Sequence, residues 1–404
     1  MTTIRLLEPQ ELAEAVRLSD SVFRGGAEVS MGAMFPRLFA PGLVHSYGAF
    51  AADGSLAAFM GLAPSTLRVD GAAQTRIRAF SIGSVCTAPE HRGAGLAGRL
   101  LERCFVHAAQ AEAPLLFVSG DRSLYTRAGC LPFGRTAAAV LRPDGPSGGP
   151  GAGRPAPRRA SHAPEALPAL RLRDAKPEDL QRLHALREAG HAAARFEESA
   201  AGLGELLGAA AFANVLGLSQ RVILAGVGDA PVAYAVLAVP HHLRNDRPDG
   251  AEPVPPAPAE SASAPPTVIE YGGSPLHAAA LLAVLPQRLG LDELHVSVPW
   301  QETGLLGLLR EAGAETTPAP NAGTLSAGRI RLLLDQAAPI WSRPWSEVLD
   351  ADAHGSVFLK SDGRRLDPGE AQGLLLDPES PLRAEVPDWF TPIPLPYAYG
   401  LHYV

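Results

Sequence analysis

The stretch SVCTAPEHRGAGLAG, at residues 84–98, leaves a strand-like run, passes Pro89 and enters a helix that opens with three glycines. Glycine costs a helix about 1 kcal/mol per residue relative to alanine, so three glycines at a helix start need a reason. Small residues let the backbone approach a ligand closely, and the unpaired amides of a helix start bind anions. The stretch therefore predicts a phosphate-binding turn.

Two interpretations of this turn compete. The letters GAGLAG match the dinucleotide fingerprint, which belongs at the first strand of a parallel sheet and needs an acidic residue after the next strand. Here the turn follows several strands, and Asp121 lies 28 residues beyond Gly93. In the other interpretation, Arg92 supplies a fixed positive donor while Gly95 and Ala97 admit a pyrophosphate. We favour the second and keep a nicotinamide-binding protein as an alternative.

The sequence here resembles the GCN5-related N-acetyltransferase (GNAT) superfamily. The resemblance rests on VCTAPEHRGAGLA, residues 85–97, and on LYTRAGC, residues 124–130. It implies that acetyl-CoA is the acyl donor, that no metal is needed, and that main-chain groups of one strand hold the pantetheine while the turn holds the pyrophosphate. The cofactor-binding residues that it implies are Val85, Cys86, Thr87, Arg92, Gly93, Ala94, Gly95, Leu96 and Ala97.

Tyr125 is the catalytic residue that the resemblance implies near the sulfur. A phenol of pKa about 10 can protonate a departing thiolate, which makes Tyr125 a suitable general acid. Cys130 stands where the family usually has an aromatic residue after the glycine. A tyrosine that simply packs in the core is the structural alternative. Asp121 and Arg122 either contact substrate or cap the following helix.

The C-terminal run PDWFTPIPLPYAYGLHYV, residues 387–404, holds five aromatic residues and is predicted to dock rather than to form a loose tail. An amine nucleophile arrives mostly protonated and needs a proton acceptor. In the resembling family the C-terminal carboxylate is thought to serve as this base. Val404 is therefore predicted to reach the cavity and accept the proton, and a terminus that only packs between domains is the alternative.

The two halves of the chain look alike, which predicts an internal duplication. Each half begins with a strand and a helix entered through a proline, at Pro9 and at Pro177, and continues with a hairpin, a strand, a long helix, a strand and a helix. At the equivalent places the second half has Ala279, Leu281 and Leu309 instead of the Gly95, Ala97 and Tyr125 that carry the chemistry.

These patterns predict an α/β fold with mixed sheets, in tandem acyl-CoA N-acyltransferase-like domains. The layout looks like the enhanced-intracellular-survival type of acetyltransferase, in which a sterol-carrier-like piece follows two GNAT-like domains. The predicted domains are a catalytic one at 1–142, a Pro/Gly-rich linker at 143–167, an inactive second copy at 168–324 and a small α+β C-terminal region at 325–404.

Composition narrows the class of partner. A net charge of −7 in 404 residues argues against nucleic acid or an anionic membrane and mildly favours an amine-bearing ligand. Three cysteines without metal-ligand spacing fit a reducing compartment, and the N-terminus has no apolar signal segment, so we expect a cytoplasmic protein. The sequence does not decide between a monomer and a homo-oligomer.

The predicted function is transfer of an acetyl group from acetyl-CoA to a primary amine by direct attack in a ternary complex. The amine could belong to a polyamine, an aminoglycoside-like molecule or a lysine side chain. A non-catalytic acyl-CoA sensor or scaffold is the rival from another class.

Overall fold

The computed structural model describes residues 2–25, 28–143, 169–190, 192–244, 264–352 and 355–404. By their internal contacts these residues form two compact units that do not follow chain order. Unit 1 comprises residues 1–135, 193–198 and 320–404, and unit 2 comprises residues 136–192 and 199–319.

The described strands number seventeen, and most are short. They are β1 (Thr3–Leu6), β2 (Tyr47–Phe50), β3 (Leu56–Val69), β4 (Thr75–Thr87), β5 (Leu115–Val118), β6 (Arg135–Leu141), β7 (Arg171–Asp174), β8 (Ala194–Phe196), β9 (Ser219–Val227), β10 (Ala230–Val239), β11 (Thr267–Gly273), β12 (Leu294–Pro299), β13 (Glu315–Pro320), β14 (Thr324–Ser326), β15 (Leu349–Ala351), β16 (Val357–Leu359) and β17 (Arg365–Leu366).

The described α-helices number twelve. They are α1 (Leu12–Phe23), α2 (Met31–Met34), α3 (Pro36–Phe39), α4 (Leu96–Gln110), α5 (Ser123–Arg127), α6 (Leu180–Ala189), α7 (Ala200–Ala209), α8 (Ala211–Val215), α9 (Pro275–Leu289), α10 (Thr303–Glu311), α11 (Ile330–Ala337) and α12 (Pro368–Leu376).

The main sheet of unit 1 has the strand order β1-β2-β3-β4-β5-β14, with β8 also pairing with β3. Its N-terminal part follows the sequence pattern closely. The predicted turn at Asp53 and Gly54 joins the antiparallel strands β2 and β3, and Gly54 adopts the positive φ of 88° that favours glycine. The parallel pair β4 and β5 flanks α4, whose apolar positions Leu100, Leu101 and Cys104 are buried as predicted.

The C-terminal region completes unit 1. Strand β14 pairs antiparallel with β5, and a small sheet, β15-β16-β17, follows it. One apolar cluster joins Leu67, Ile77 and Phe117 of the first residues to Leu334 and Phe390 of the last ones. The predicted hairpin at Asp362–Gly363 is present as β16 and β17, and the prediction that the aromatic C-terminal run docks is confirmed, because most of residues 390–402 are buried.

Unit 2 is built on a mixed sheet of order β13-β6-β12-β11-β10-β9-β7. The predicted hairpin turn at Gly228 joins β9 and β10, and α9 packs its apolar face on this sheet. β11 and β12 run parallel, whereas the pairs β10–β11, β9–β10, β6–β12 and β7–β9 are antiparallel.

The predicted mixed α/β fold is therefore confirmed. The domain limits drawn at 142, 167 and 324 stay predictions, and the predicted linker, apart from Pro143, lies outside the described residues. No described helix has both the length and the apolar composition needed to cross a bilayer.

Candidate active site

The two parallel strands of unit 1 part from each other at one end. β4 pairs with β5 from Ala79–Leu115 as far as Ile82–Val118, where β5 stops. β4 runs five residues further, to Thr87. Parallel strands that separate leave main-chain groups of the longer strand without a partner on that side. This gap between β4 and β5 lies directly before the predicted phosphate-binding turn at residues 92–97.

A β-bulge shapes β4 within this gap. Phe59 pairs with Cys86 and Gly61 with Gly83, so two residues of β4 oppose a single residue of β3. The first bulged residue, Ser84, has a positive φ of 50°. Beyond the bulge, the Ala88 amide donates to Ala57 O, so the preceding Thr87 amide points to the opposite edge, the side of the gap.

The turn after β4 forms a helix start without a cap. Gly93 and Gly95 have φ values of +82° and +69°, which explains the glycines, and Gly95 is the residue before α4. Within the part of the chain that the structure describes, no side chain accepts a hydrogen bond from the first amides of α4, and the first turn of this helix carries no acidic residue. Arg92 is exposed beside them, with its Nε 3.5 Å from Thr87 O. These groups together favour an anion.

The structure brings the predicted cofactor-binding residues into one continuous path. Two of them turn their side chains into the core and can offer only main-chain groups, namely Cys86 and Leu96. The Cys86 thiol lies 3.6 Å from Ser19 Oγ, and burial raises its pKa to about 11. It is therefore a protonated, buried thiol, as the sequence predicted.

The corresponding helix of unit 2 starts differently. Ser274 accepts a hydrogen bond from the His277 amide at its Oγ, and Pro275, in the first helical position, has no amide hydrogen. Leu309, at the place of Tyr125, is fully buried. This helix start therefore leaves fewer amide donors available to bind an anion than the start of α4 does.

Tyr125 is buried on the short helix α5, next to the end of β5. It belongs to the same apolar cluster as Cys104 and Cys130, and its ring lies 3.6 Å from the position that a Cβ on Gly120 would occupy. Burial raises the pKa of Tyr125 to about 12, against the lowering effect of Arg122. The side chain of Arg122, at the N-cap of α5, makes no capping hydrogen bond.

The C-terminal residue lies against β4 at the gap. A Cβ on Gly83 would stand 2.5 Å from the main-chain carbonyl carbon of Val404 and 3.0 Å from its Cβ. Only glycine at position 83 therefore allows this close approach. The structure thus places Val404 at the residue where β4 and β5 have just separated.

A pocket of about 300 Å³, counted out to the open solvent, opens at the same place. Its lining is mostly aromatic and small, and the Tyr403 hydroxyl is hydrogen-bonded to Ser119. The lining residues are Ser81, Phe117, Val118, Ser119, Phe196, Ala322, Ala398, Tyr399, His402, Tyr403 and Val404.

Three residues beside or in this pocket were missed by the sequence analysis. Glu198 accepts hydrogen bonds from Arg37 and, at 3.2 Å, from His402 Nε2. Glu198 is 161 residues from Arg37 and 204 from His402, and it belongs by sequence to the second half of the chain. No local pattern marks such a contact; the aromatic C-terminal run was the only available signal. Among the described residues, no group of three or more His, Cys, Asp or Glu side chains could hold a metal ion.

The comparisons with known proteins fit this geometry. Residues 3–132 match the family model described as an acetyltransferase (GNAT) domain. Residues 3–132 are therefore a GNAT domain, and acyl transfer is the class of reaction that this domain supports.

The particular relatives are distant in sequence. A GCN5-related N-acetyltransferase from Anabaena variabilis is similar to this chain at 13% identity and a TM-score of 0.58, over 95% of this chain and 93% of its own. Eis1 from Mycobacterium abscessus is similar at 18% identity and a TM-score of 0.53, over 91% and 85%. A probable N-acyltransferase from Enterococcus faecalis is similar at 14% identity and a TM-score of 0.55, over 83% of this chain and 75% of its own. No curated protein matches the chain. The resemblance to the tandem-GNAT type is thus confirmed in its fold.

Proposed function

We propose that this protein transfers an acetyl group from acetyl-CoA to a primary amine, by direct attack of the amine on the thioester in a ternary complex. The observation that carries the proposal is the uncapped start of α4 beside the open edge of β4. Coenzyme A joins a pyrophosphate to an arm with two amides, so it needs an anion site and a nearby row of main-chain groups. The uncapped start of α4 and the open edge of β4 supply these two features next to each other.

In this proposal Arg92 and the amides of residues 93–97 hold the pyrophosphate. The Thr87 amide and the main-chain groups of Val85 face the pantetheine arm, which lies in the gap as an additional strand would, while Cys86 between them pairs with Phe59 of β3. The acyl end then extends towards the pocket that Val404 and His402 line.

Tyr125 is the proposed general acid. The amine nitrogen attacks the carbonyl carbon, the C–S bond breaks with its electron pair going to sulfur, and the sulfur takes the phenolic proton. The sequence predicts the Val404 carboxylate as the proton acceptor, and Val404 lies against Gly83 in the lining of the same pocket. The acceptor amine could be a polyamine, an aminoglycoside-like molecule or a lysine side chain.

The second half is proposed to be inactive. Its helix start is occupied by Ser274 and Pro275, and Leu309 offers no acid. Isothermal titration of the full chain with CoA should therefore give one site per chain. Two equivalent sites would contradict this assignment.

The decisive experiment measures release of the CoA thiol from acetyl-CoA in the presence of polyamines, aminoglycosides and lysine peptides, with mass spectrometry of the acceptor. Thiol release that depends on the amine, with a gain of one acetyl group, supports the proposal. Binding of acetyl-CoA without turnover on any amine would favour a sensor. Binding of NADH in place of CoA would favour the dinucleotide interpretation.

A further inference from the structure

The pocket beside the gap contains an imidazole that is held by a carboxylate. His402 Nε2 lies 3.2 Å from Glu198 Oε2, and both side chains are at least nine-tenths buried. The His402 ring stacks on Phe196, with 4.5 Å between centroids and 18° between planes. Phe196 and Glu198 belong to one short segment around β8, so a single stretch of chain fixes both the plane and the direction of the ring.

Glu198 stays charged in this position. Burial raises the pKa of its carboxyl group, but hydrogen bonds from His402 and Arg37 outweigh that effect and bring the pKa down to about 2. The titratable groups of the C-terminal segment that line the same pocket are Tyr399, Tyr403 and Val404. A carboxylate that accepts from Nε2–H fixes the tautomer with its lone pair on Nδ1 and increases the basicity of the ring.

The acceptor amine needs a base of suitable strength. An alkylammonium ion has a pKa of about 10.4, a free imidazole about 6.5 and a terminal carboxylate about 3.5. Deprotonation by an imidazole is therefore about three powers of ten less unfavourable than deprotonation by the terminal carboxylate. Both groups line this pocket, so basicity decides between them.

We infer that His402, oriented by Glu198, accepts the proton of the acceptor amine, an inference that rests on the proposed N-acetyl transfer. His402 takes one proton from the ammonium group and passes it to solvent, and the neutral nitrogen then attacks. The nitrogen loses its second proton as the C–N bond forms, and this proton replaces the one that Tyr125 gives to the sulfur as the C–S bond breaks. The products are the amide, the free thiol and one released proton. His402 acts as a catalytic residue and Glu198 as a positioning residue.

The test compares three variants in pH profiles of kcat/KM for thiol release. In His402→Gln, the side-chain amide still donates to Glu198, which holds the C-terminal segment, but it cannot take up a proton. We expect kcat/KM to fall about 100- to 10,000-fold with unchanged CoA affinity, and the acid limb to disappear. Glu198→Gln should move the acid limb to lower pH because the imidazole loses its carboxylate.

Glu197→Gln is the matched control. This neighbouring carboxylate lies on the same segment but pairs with Arg76 at the surface, so its loss should leave the profile unchanged. NMR titration of the His402 imidazole supplies a readout that needs no turnover, and its pKa should be lower in Glu198→Gln than in the parent.

Other outcomes would overturn the inference. If His402→Gln keeps the parental rate and acid limb, and two glycines added after Val404 abolish that limb, the terminal carboxylate is the acceptor. An imidazole pKa that is the same in the parent and in Glu198→Gln would contradict the oriented pair. A parental chain that binds acetyl-CoA but acetylates no amine would instead overturn the proposed function, and with it the reaction that His402 would serve.

Discussion

Burial raises the pKa of the proposed acid, Tyr125, and of two thiols that lie in the same apolar cluster. It raises the pKa of Tyr125 to about 12, so the phenol keeps its proton throughout the physiological range. It also raises the pKa of two thiols in the same apolar cluster, Cys104 to about 12 and Cys130 to about 11. In the proposed reaction, a CoA thiolate that leaves beside Tyr125 gains basicity through loss of water in the same way, and this would keep proton transfer from the phenol close to balanced.

Removal of this hydroxyl tests the role. Tyr125→Phe should bind CoA as the parent does, but its kcat should fall by roughly 10- to 10,000-fold, the range typical of lost acid catalysis. Because the free-enzyme pKa lies near 12, the parent should show no alkaline limb from Tyr125 below about pH 10. Tyr47→Phe is the matched control, since Tyr47 contacts His107 instead. Parental turnover by Tyr125→Phe would assign the proton to another group or to water.

Glu198 should make stability depend on pH. Its folded pKa of about 2 lies below its usual 4.5, so its contribution is present above pH 4.5 and is lost as the pH falls towards 2. If the Glu198 carboxylate were fully shielded from solvent, its lowered pKa would correspond to about 3 kcal/mol of folding free energy. Screening by solvent reduces this to roughly 2 kcal/mol. Denaturant unfolding of the parent and Glu198→Gln should therefore differ most at pH 7 and converge as the pH falls to about 2. A difference that is constant with pH would contradict the ion pair.

The sequence alone marks candidate residues where their neighbours along the chain complete a motif. Arg92, Gly95 and Tyr125 stand in local motifs, so their chemistry could be predicted. Glu198 and His402 meet only because β8 pairs with β3 and the C-terminal segment docks beside it. Long-range pairing of this kind leaves no periodic trace in the chain.

The start of α4 is the element on which cofactor binding depends. Its two positive-φ glycines form the turn before the helix, and no side chain of the described residues caps its first amides. The start of α9, capped by Ser274, has the ordinary arrangement. The sequence predicted the glycine turn before α4, because glycines are local signals, but it did not identify Ser274 as the cap of α9. It did not predict that β6 and β14 join the sheets that they do, since strand partners depend on the whole chain.

Gly95 and Gly98 allow a controlled test of the α4 start. Valine at position 95 must adopt a left-handed conformation that costs about 1–2 kcal/mol, and its side chain would project where the anion is proposed to bind. We expect Gly95→Val to weaken CoA binding at least tenfold by calorimetry while far-UV circular dichroism is unchanged. Gly98→Ala has no positive φ and no close neighbour at its Cβ, so it should bind CoA normally. Equal CoA affinity in both variants would remove the pyrophosphate from this turn.

At the scale of the whole molecule, unit 1 is assembled from three separate stretches of chain. The C-terminal stretch supplies β14 to the edge of β5 and covers Leu67, Ile77 and Phe117. Its last residues are fixed by Asn321, whose side chain donates to Pro396 O and accepts from the Ala398 amide. The pocket that holds Val404 and His402 therefore exists only when residues 320–404 are folded onto residues 1–135.

This assembly predicts that the first GNAT domain does not fold alone. A chain of residues 1–142 would leave β5 with an open edge and would expose several apolar side chains of the shared cluster, each worth about 1.5–3 kcal/mol when buried. Losing about five of them removes roughly 10 kcal/mol, comparable to the whole stability of a domain.

We expect residues 1–142 to show no cooperative thermal unfolding and no CoA binding, whereas the full chain shows both. Asn321→Ala in the full chain is the milder comparison. It should lower the free energy of unfolding by about 1–3 kcal/mol, because it leaves main-chain groups of the C-terminal segment without their partners. If residues 1–142 unfold cooperatively and bind CoA with the affinity of the full chain, the predicted boundary at 142 marks an independent domain. The C-terminal stretch would then serve the acceptor pocket alone, and only turnover, not cofactor binding, would depend on it.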